Sequence, residues 1–166
     1  MQKKTYYLRT PYILIIGPEL QGKTTLAKLI KEKFSGKSFL ISHKTSETMI
    51  NQRDYIFQLA SEFSAAAGDN QLVIIDSNLF MKRELEDFFE ALKYFMKVSK
   101  EEFTIIKVHV SYDKNMTYAN RAGRLNWERI VDQRARYEGE GGSLYTKLTN
   151  ELFFFDNSAF DIVFAS

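Results

Sequence analysis

Apolar and polar positions follow two alternating rhythms along this chain. Short β-branched runs stand at 12–17 ("YILIIG"), 38–42 ("SFLIS"), 72–76 ("LVIID") and 103–111 ("FTIIKVHVS"), and a fifth, "FDIVFAS", occupies 160–166. The first and third are apolar almost throughout, as in strands covered on both faces of a parallel sheet. Between the runs the apolar spacing turns helical, over 23–34, roughly 45–66, 81–98, 113–137 with a break, and 143–154. Strands alternating with helices predict βαβ units, hence an open α/β fold with five parallel strands and helices on both faces. No repeat and no linker rich in Pro, Gly or Ser divides the sequence, and the patch "EGEGGS" at 138–143 reads as an exposed loop. One domain spanning 1–166 is therefore expected.

Composition narrows this picture only slightly. A chain of 166 residues, 45% hydrophobic and 27% charged, has the size and balance of one globular core. The net charge of +2 imposes no electrostatic demand for nucleic acid. The absence of cysteine excludes a disulfide framework and a thiolate zinc site. No apolar run has the length of a bilayer span, and "MQKKTYYLRTP" lacks the apolar centre of a secretion signal, so a cytoplasmic protein without a membrane partner is expected. Fourteen Phe and nine Tyr serve mainly as buried area.

Candidate chemistry appears where the first strand turns into the first helix. Gly17-Pro18-Glu19-Leu20-Gln21-Gly22-Lys23-Thr24 fits G-x-x-x-x-G-K-[ST]. In such a loop, backbone N–H groups wrap a phosphate, and the glycines permit torsions that a side chain obstructs. The following helix adds its unpaired N–H groups and positive dipole end. Gly17, Pro18, Gln21, Gly22, Lys23, Thr24 and Thr25 form the expected nucleotide cradle. Lys23 is placed on the β and γ phosphates, and the Thr24 hydroxyl on Mg²⁺. In "LVIIDSN", Asp76 closes a buried strand and is the candidate metal-side acid. The expected fold is thus that of the phosphate-loop (P-loop) NTPases. Chain length argues for a small kinase over a motor ATPase, and no guanine-reading N-K-x-D element is present.

Longer segments resemble the bacteriophage-type polynucleotide 5′-hydroxyl kinases and the related small P-loop kinases. The likeness runs through "IIDSNLFMKRELEDFFEALKYF", "IIKVHVSYDKNMTYANRAGR" and "ERIVDQRARYEG", covering most of 12–140. It implies transfer of the γ-phosphoryl of ATP, with Mg²⁺, to an alcohol, with a polynucleotide 5′-hydroxyl as the favoured acceptor. It also implies a lid over about 114–142, in which Arg124 closes on the transferring phosphoryl and Arg121, three residues earlier, shares its helix face. Asn78 would hold the loop after the third strand, and Arg129, Arg134 and Arg136 are further basic candidates. The family's acceptor-side aspartate, commonly in R-D-x-x-R, has no counterpart in "SFLISHKTSET". "NQRDY" at 51–55 repeats its flavour about ten residues later, making Arg53 and Asp54 the displaced pair, with Glu47 and His43 as alternatives. Two further readings share the nucleotide side. One is a kinase for a nucleoside, nucleotide or sugar, with Tyr55, Phe57 and Phe63 walling an acceptor pocket; the other is an ATP-binding module without an acceptor.

Overall fold

The computed structural model describes residues 4–8, 11–17, 22–43, 52–77, 82–108, 112–121, 123, 128, 131, 132, 135, 151–154 and 160–164. In chain order these hold β1 (Lys4–Leu8), β2 (Tyr12–Ile16), α1 (Lys23–Lys33), β3 (Ser38–His43), α2 (Gln52–Asp69), β4 (Leu72–Ser77) and α3 (Lys82–Leu92). A 3₁₀ turn (Lys100–Glu102) then leads into β5 (Phe103–Val108), followed by α4 (Tyr112–Arg121), β6 (Glu151–Phe154) and β7 (Phe160–Phe164).

Five strands form one parallel sheet in the order β3-β4-β2-β5-β6. The most apolar strand, β2, is central. It pairs Tyr12–Ile15 with Val73–Asp76 on one side and Tyr12–Ile16 with Phe103–Lys107 on the other. This register brings the carboxyl ends of β2, β4 and β5 level, with Ile15 beside Asp76 and Ile16 beside Lys107. The strand order reverses between β2 and β5, the position at which open α/β sheets receive ligands.

Strand alternation divides the core between two faces. Ile13, Ile15, Leu72, Ile74, Ile106 and Val108 pack against Leu26, Ala27 and Ile30 of α1. Leu14, Ile16, Val73, Ile75, Phe103 and Ile105 pack against α2 and α3, which bury Tyr55, Leu59, Phe63, Leu85, Phe88 and Leu92. The buried positions of α2, from Tyr55 and Ile56 through Leu59, Ala60 and Phe63 to Ala66, recur at the three- and four-residue spacing of a core-facing helix. Each such aliphatic or aromatic side chain contributes about 1.5–3 kcal/mol when removed from water.

The structure moves several expected boundaries. Of the helix expected over 45–66, the described part runs Gln52–Asp69 and passes its expected end, while that over 81–98 ends at Leu92, after which Tyr94 and Phe95 donate backbone N–H groups to Ala91 and Leu92 in a tightening turn. The break expected within 113–137 falls after Arg121, where Gly123 takes φ 67° and bonds back to Asn120.

The fifth strand is a correction. Residues 151–154, expected to be helical, pair with β5 as β6, while 160–164 pairs in parallel with Lys4–Leu8 as a separate two-stranded ladder. "ELFF" carries two adjacent phenylalanines, which favour a pleated surface, and periodicity does not separate so short a run from a helix. β1 was not among the expected strands, because "TYYL" is short and flanked by Lys and Arg. The ladder buries Leu8 on the α1 side and sets Phe164 against Phe34, with ring centroids 5.1 Å apart. Among the described residues no helix is long and apolar enough to cross a membrane.

Candidate active site

Gly17 leaves β2 with φ 150°, and a Cβ there would stand 2.7 Å from the carbonyl oxygen of Val108. Glycine is thus required twice over, by backbone torsion and by the close approach to β5. Residues 18–21, including Pro18 and Gln21, lie outside the described residues. The chain re-enters at Gly22, which adopts a left-handed φ of 87° at the N-cap of α1 and accepts the Leu26 N–H at 3.0 Å. A glycine cap carries no side-chain acceptor, and the first turn of α1 contains no acidic residue. A helix end of this kind presents N–H groups and a positive dipole to an anion.

Lys23 and Thr24 open α1 over the carboxyl edge of the sheet. Lys23 is buried, and its Nζ donates to the Gly17 carbonyl at 2.5 Å, so the lysine closes over the start of the loop. Thr24 Oγ1 donates to Asp76 Oδ2. Ser42 Oγ, from β3, donates to the same oxygen at 3.0 Å. Asp76 is only 4% exposed, and among the described residues its Oδ1 accepts no hydrogen bond. The oxygen donors Thr24 and Asp76 match a hard cation such as Mg²⁺, with Ser42 bonded to the carboxylate behind them. Among the described residues no group of three His, Cys, Asp or Glu is placed to hold a metal ion.

On the other face of β4, the buried Ser77 shares a hydrogen bond of 3.3 Å with the Tyr55 hydroxyl. Burial raises the Tyr55 phenol above its usual range, the Ser77 bond opposes this, and the nearby Asp76 carboxylate adds to it. The contact fixes the start of α2 against the carboxyl edge of the sheet. Asp54, the preceding residue, lies exposed in the first turn of α2, and Arg53 is exposed beside it. Thr25 is exposed on the first turn of α1, and Arg121 is exposed at the end of α4. His43 ends β3. Arg124, Asn78, Glu47, Arg129, Arg134 and Arg136 lie outside the described residues, as does most of the stretch 114–142 expected to form a lid.

Sequence reasoning missed two residues at this edge. Ser42 stands beside Asp76 in the β3–β4 register; a small polar residue at the end of an apolar strand was its only signal. Lys107 is 3% exposed near the end of β5, level with Ile16, and burial pulls its ammonium down to about 8. Its signal was a lysine within the apolar run "FTIIKVHV". The three aromatic residues considered as walls of an acceptor pocket divide differently. Tyr55 and Phe63 belong to the core, while Phe57 is exposed on α2 and meets the rings of Phe95 and Tyr94 at 5.0 and 6.2 Å.

No protein-family model matches the sequence, and no curated protein does. Solved structures do match the fold. Kti12 from Chaetomium thermophilum, in complex with ADP-AlF3, superposes with a TM-score of 0.62 at 15% identity, covering 89% of this chain and 90% of that one. A chain of the Pnkp1/Rnl/Hen1 RNA repair complex gives 0.63 at 12% identity over 81% of this chain, which spans 46% of that protein's length. A gluconokinase from Sinorhizobium meliloti 1021 gives 0.62 at 12% identity over 90% and 85%. Parallel strand order, the glycines that bound the β2–α1 passage and fold likeness agree: this chain has the P-loop NTPase fold.

Proposed function

We propose that the protein is an ATP- and Mg²⁺-dependent phosphotransferase that moves the γ-phosphoryl group to an alcohol, with a polynucleotide 5′-hydroxyl as its favoured acceptor. The observation that carries this reading is the convergence of Lys23, Thr24 and the buried Asp76 at an uncapped helix N-terminus. The α1 N–H groups bind the phosphate chain, and the Lys23 ammonium exchanges the Gly17 carbonyl for phosphate oxygens. Thr24 and Asp76 would hold Mg²⁺, whose chemistry is to neutralise charge developing across the β and γ phosphate oxygens. Arg124 is assigned to the lid, where a guanidinium best stabilises the equatorial oxygens in transfer. Asp54, exposed at the start of α2, is the proposed acceptor of the attacking hydroxyl's proton.

The acceptor assignment draws support from the core positions of Tyr55 and Phe63 and the stacking of the exposed Phe57 on Phe95, places that do not favour them as walls of a closed pocket. The likeness to a chain of an RNA repair complex is in keeping with it. A sugar or nucleoside acceptor is the second reading, favoured by the likeness to a gluconokinase.

The test is transfer of labelled γ-phosphate from ATP with Mg²⁺ to hydroxyl-ended DNA and RNA oligonucleotides beside nucleosides, mononucleotides and sugars. Label on oligonucleotides supports the reading. Label on small acceptors alone transfers the assignment to the second reading. Bound ATP with no labelled product on any acceptor would leave a nucleotide-binding module.

A further inference from the structure

Two hydroxyls from different elements spend their single protons on one oxygen of Asp76. Thr24 reaches Oδ2 from the first turn of α1, and Ser42 reaches it from the end of β3 at 3.0 Å. The bond from Ser42 is built into the sheet, because Ser42 and Asp76 are register partners in adjacent parallel strands. Leu40 and Ile74, two residues before each of them, both pack on the α1 face, so the two side chains project from the same side. The carboxylate is buried, whereas Ser42 is exposed at its rim.

One donor leaves a carboxylate free to rock about its terminal torsion, which is broad for aspartate. Two donors converging from separate elements pin Oδ2, leaving Oδ1 as the oxygen without a hydrogen bond among the described residues. Groups that hold a metal-binding carboxylate in this way govern metal affinity, and their loss typically costs about 10- to 100-fold. We propose that Ser42 is a positioning residue: it clamps Asp76 from β3 so that the remaining carboxylate oxygen is presented to the cation accompanying the nucleotide. The inference rests on the proposed function only in taking Asp76 as the metal-side acid, and it is independent of any acceptor.

The role is tested by calorimetric titration of ADP into the protein, without Mg²⁺ and over a series of Mg²⁺ concentrations, for wild type, Ser42→Ala, Ser42→Val and Ser42→Thr. Removing the hydroxyl in the Ala and Val variants is expected to raise the Mg²⁺ concentration needed for half of the metal-dependent gain in ADP affinity by about tenfold or more. Metal-free ADP affinity should stay within about twofold, and Thr, which keeps the hydroxyl, should restore the wild-type response. An unchanged Mg²⁺ dependence in both Ala and Val variants overturns the proposal. So does a metal-free affinity that falls in parallel, because Ser42 would then support the fold and not the carboxylate. Wild type lacking any metal-dependent gain also overturns it, whatever the transfer assay yields. Conversely, a normal response lost on Ser42→Ala in a protein that phosphorylates nothing would sustain the clamp and sink the transferase reading.

Discussion

The two faces of the five-stranded sheet use the same strands for different ends. The fully buried side chains of the α1 face are aliphatic, with Phe34, Tyr118 and Phe164 at its margin, and its carboxyl edge carries Lys23, Thr24, Ser42 and Asp76. The α2–α3 face is aromatic. Phe63 meets Tyr12 and Phe103 at 4.9 and 5.1 Å, Phe89 meets Phe103 at 5.3 Å, and the carboxyl edge holds the internally bonded Tyr55 and Ser77. The start of α1 stands at this edge beside Asp76, through Thr24, whereas the start of α2 is anchored at the edge by its buried Tyr55, bonded to Ser77.

The sharpest way to break this contrast is to strike each face at its own strength. Lys23→Ala should lower phosphoryl transfer by about 10³-fold or more in the labelled-phosphate assay while the urea midpoint moves little, since the substitution removes a transition-state cation. Phe63→Ala should do the reverse. It should cost about 3–5 kcal/mol in urea unfolding and leave the turnover of the folded fraction within a few-fold. If Phe63→Ala abolished turnover in folded protein, the division of labour between the faces would be wrong.

Gly17→Ala joins the two measurements. Its Cβ meets the Val108 carbonyl, and its torsion is one that L side chains rarely adopt, so about 1–3 kcal/mol of strain should appear together with weakened ADP binding.

Lys107 offers a pH-dependent test of the aromatic side. Below about 8 its ammonium is charged in both folded and unfolded chains, and the folded chain bears the cost of burial. Between about 8 and the ordinary value of 10.5 the folded lysine has lost its proton while the unfolded one keeps it. The unfolded state then binds more protons, so stability rises with pH across that window. Lys107→Met should abolish this rise in a comparison of urea midpoints at pH 7, 8, 9 and 10. Parallel curves would refute the assignment.

The smallest effect belongs to Tyr55→Phe, which deletes the bond to Ser77 and should cost about 0.5–1.5 kcal/mol, with turnover nearly unchanged. A large loss of turnover there would make the edge of the aromatic face part of the chemistry.

Much of the fold was legible in the sequence. The two apolar runs that became β2 and β4 announced a doubly covered sheet, and the glycine–lysine–threonine spacing announced a strand-to-helix passage whose bounding glycines take positive φ values. Asp76 was legible from its place at the end of an apolar run. The proposed acceptor residues were not: Asp54 and Arg53 could be offered only as a displaced pair, because no local spacing marks them as the phosphate-loop pattern marks Lys23 and Thr24.

What the sequence determined by itself was therefore local chemistry, in which strand, turn and helix lie within a few residues and backbone torsion, dipole and side chain act together. Tertiary structure alone decided the partners. Thr24 and Ser42 lie 52 and 34 residues from the carboxylate they share, the ends of the chain meet in the β1–β7 ladder, and a lysine in β5 came to be buried. Such pairings depend on strand order and register. These are set by packing both faces of the sheet at once, and no short window of sequence contains that information.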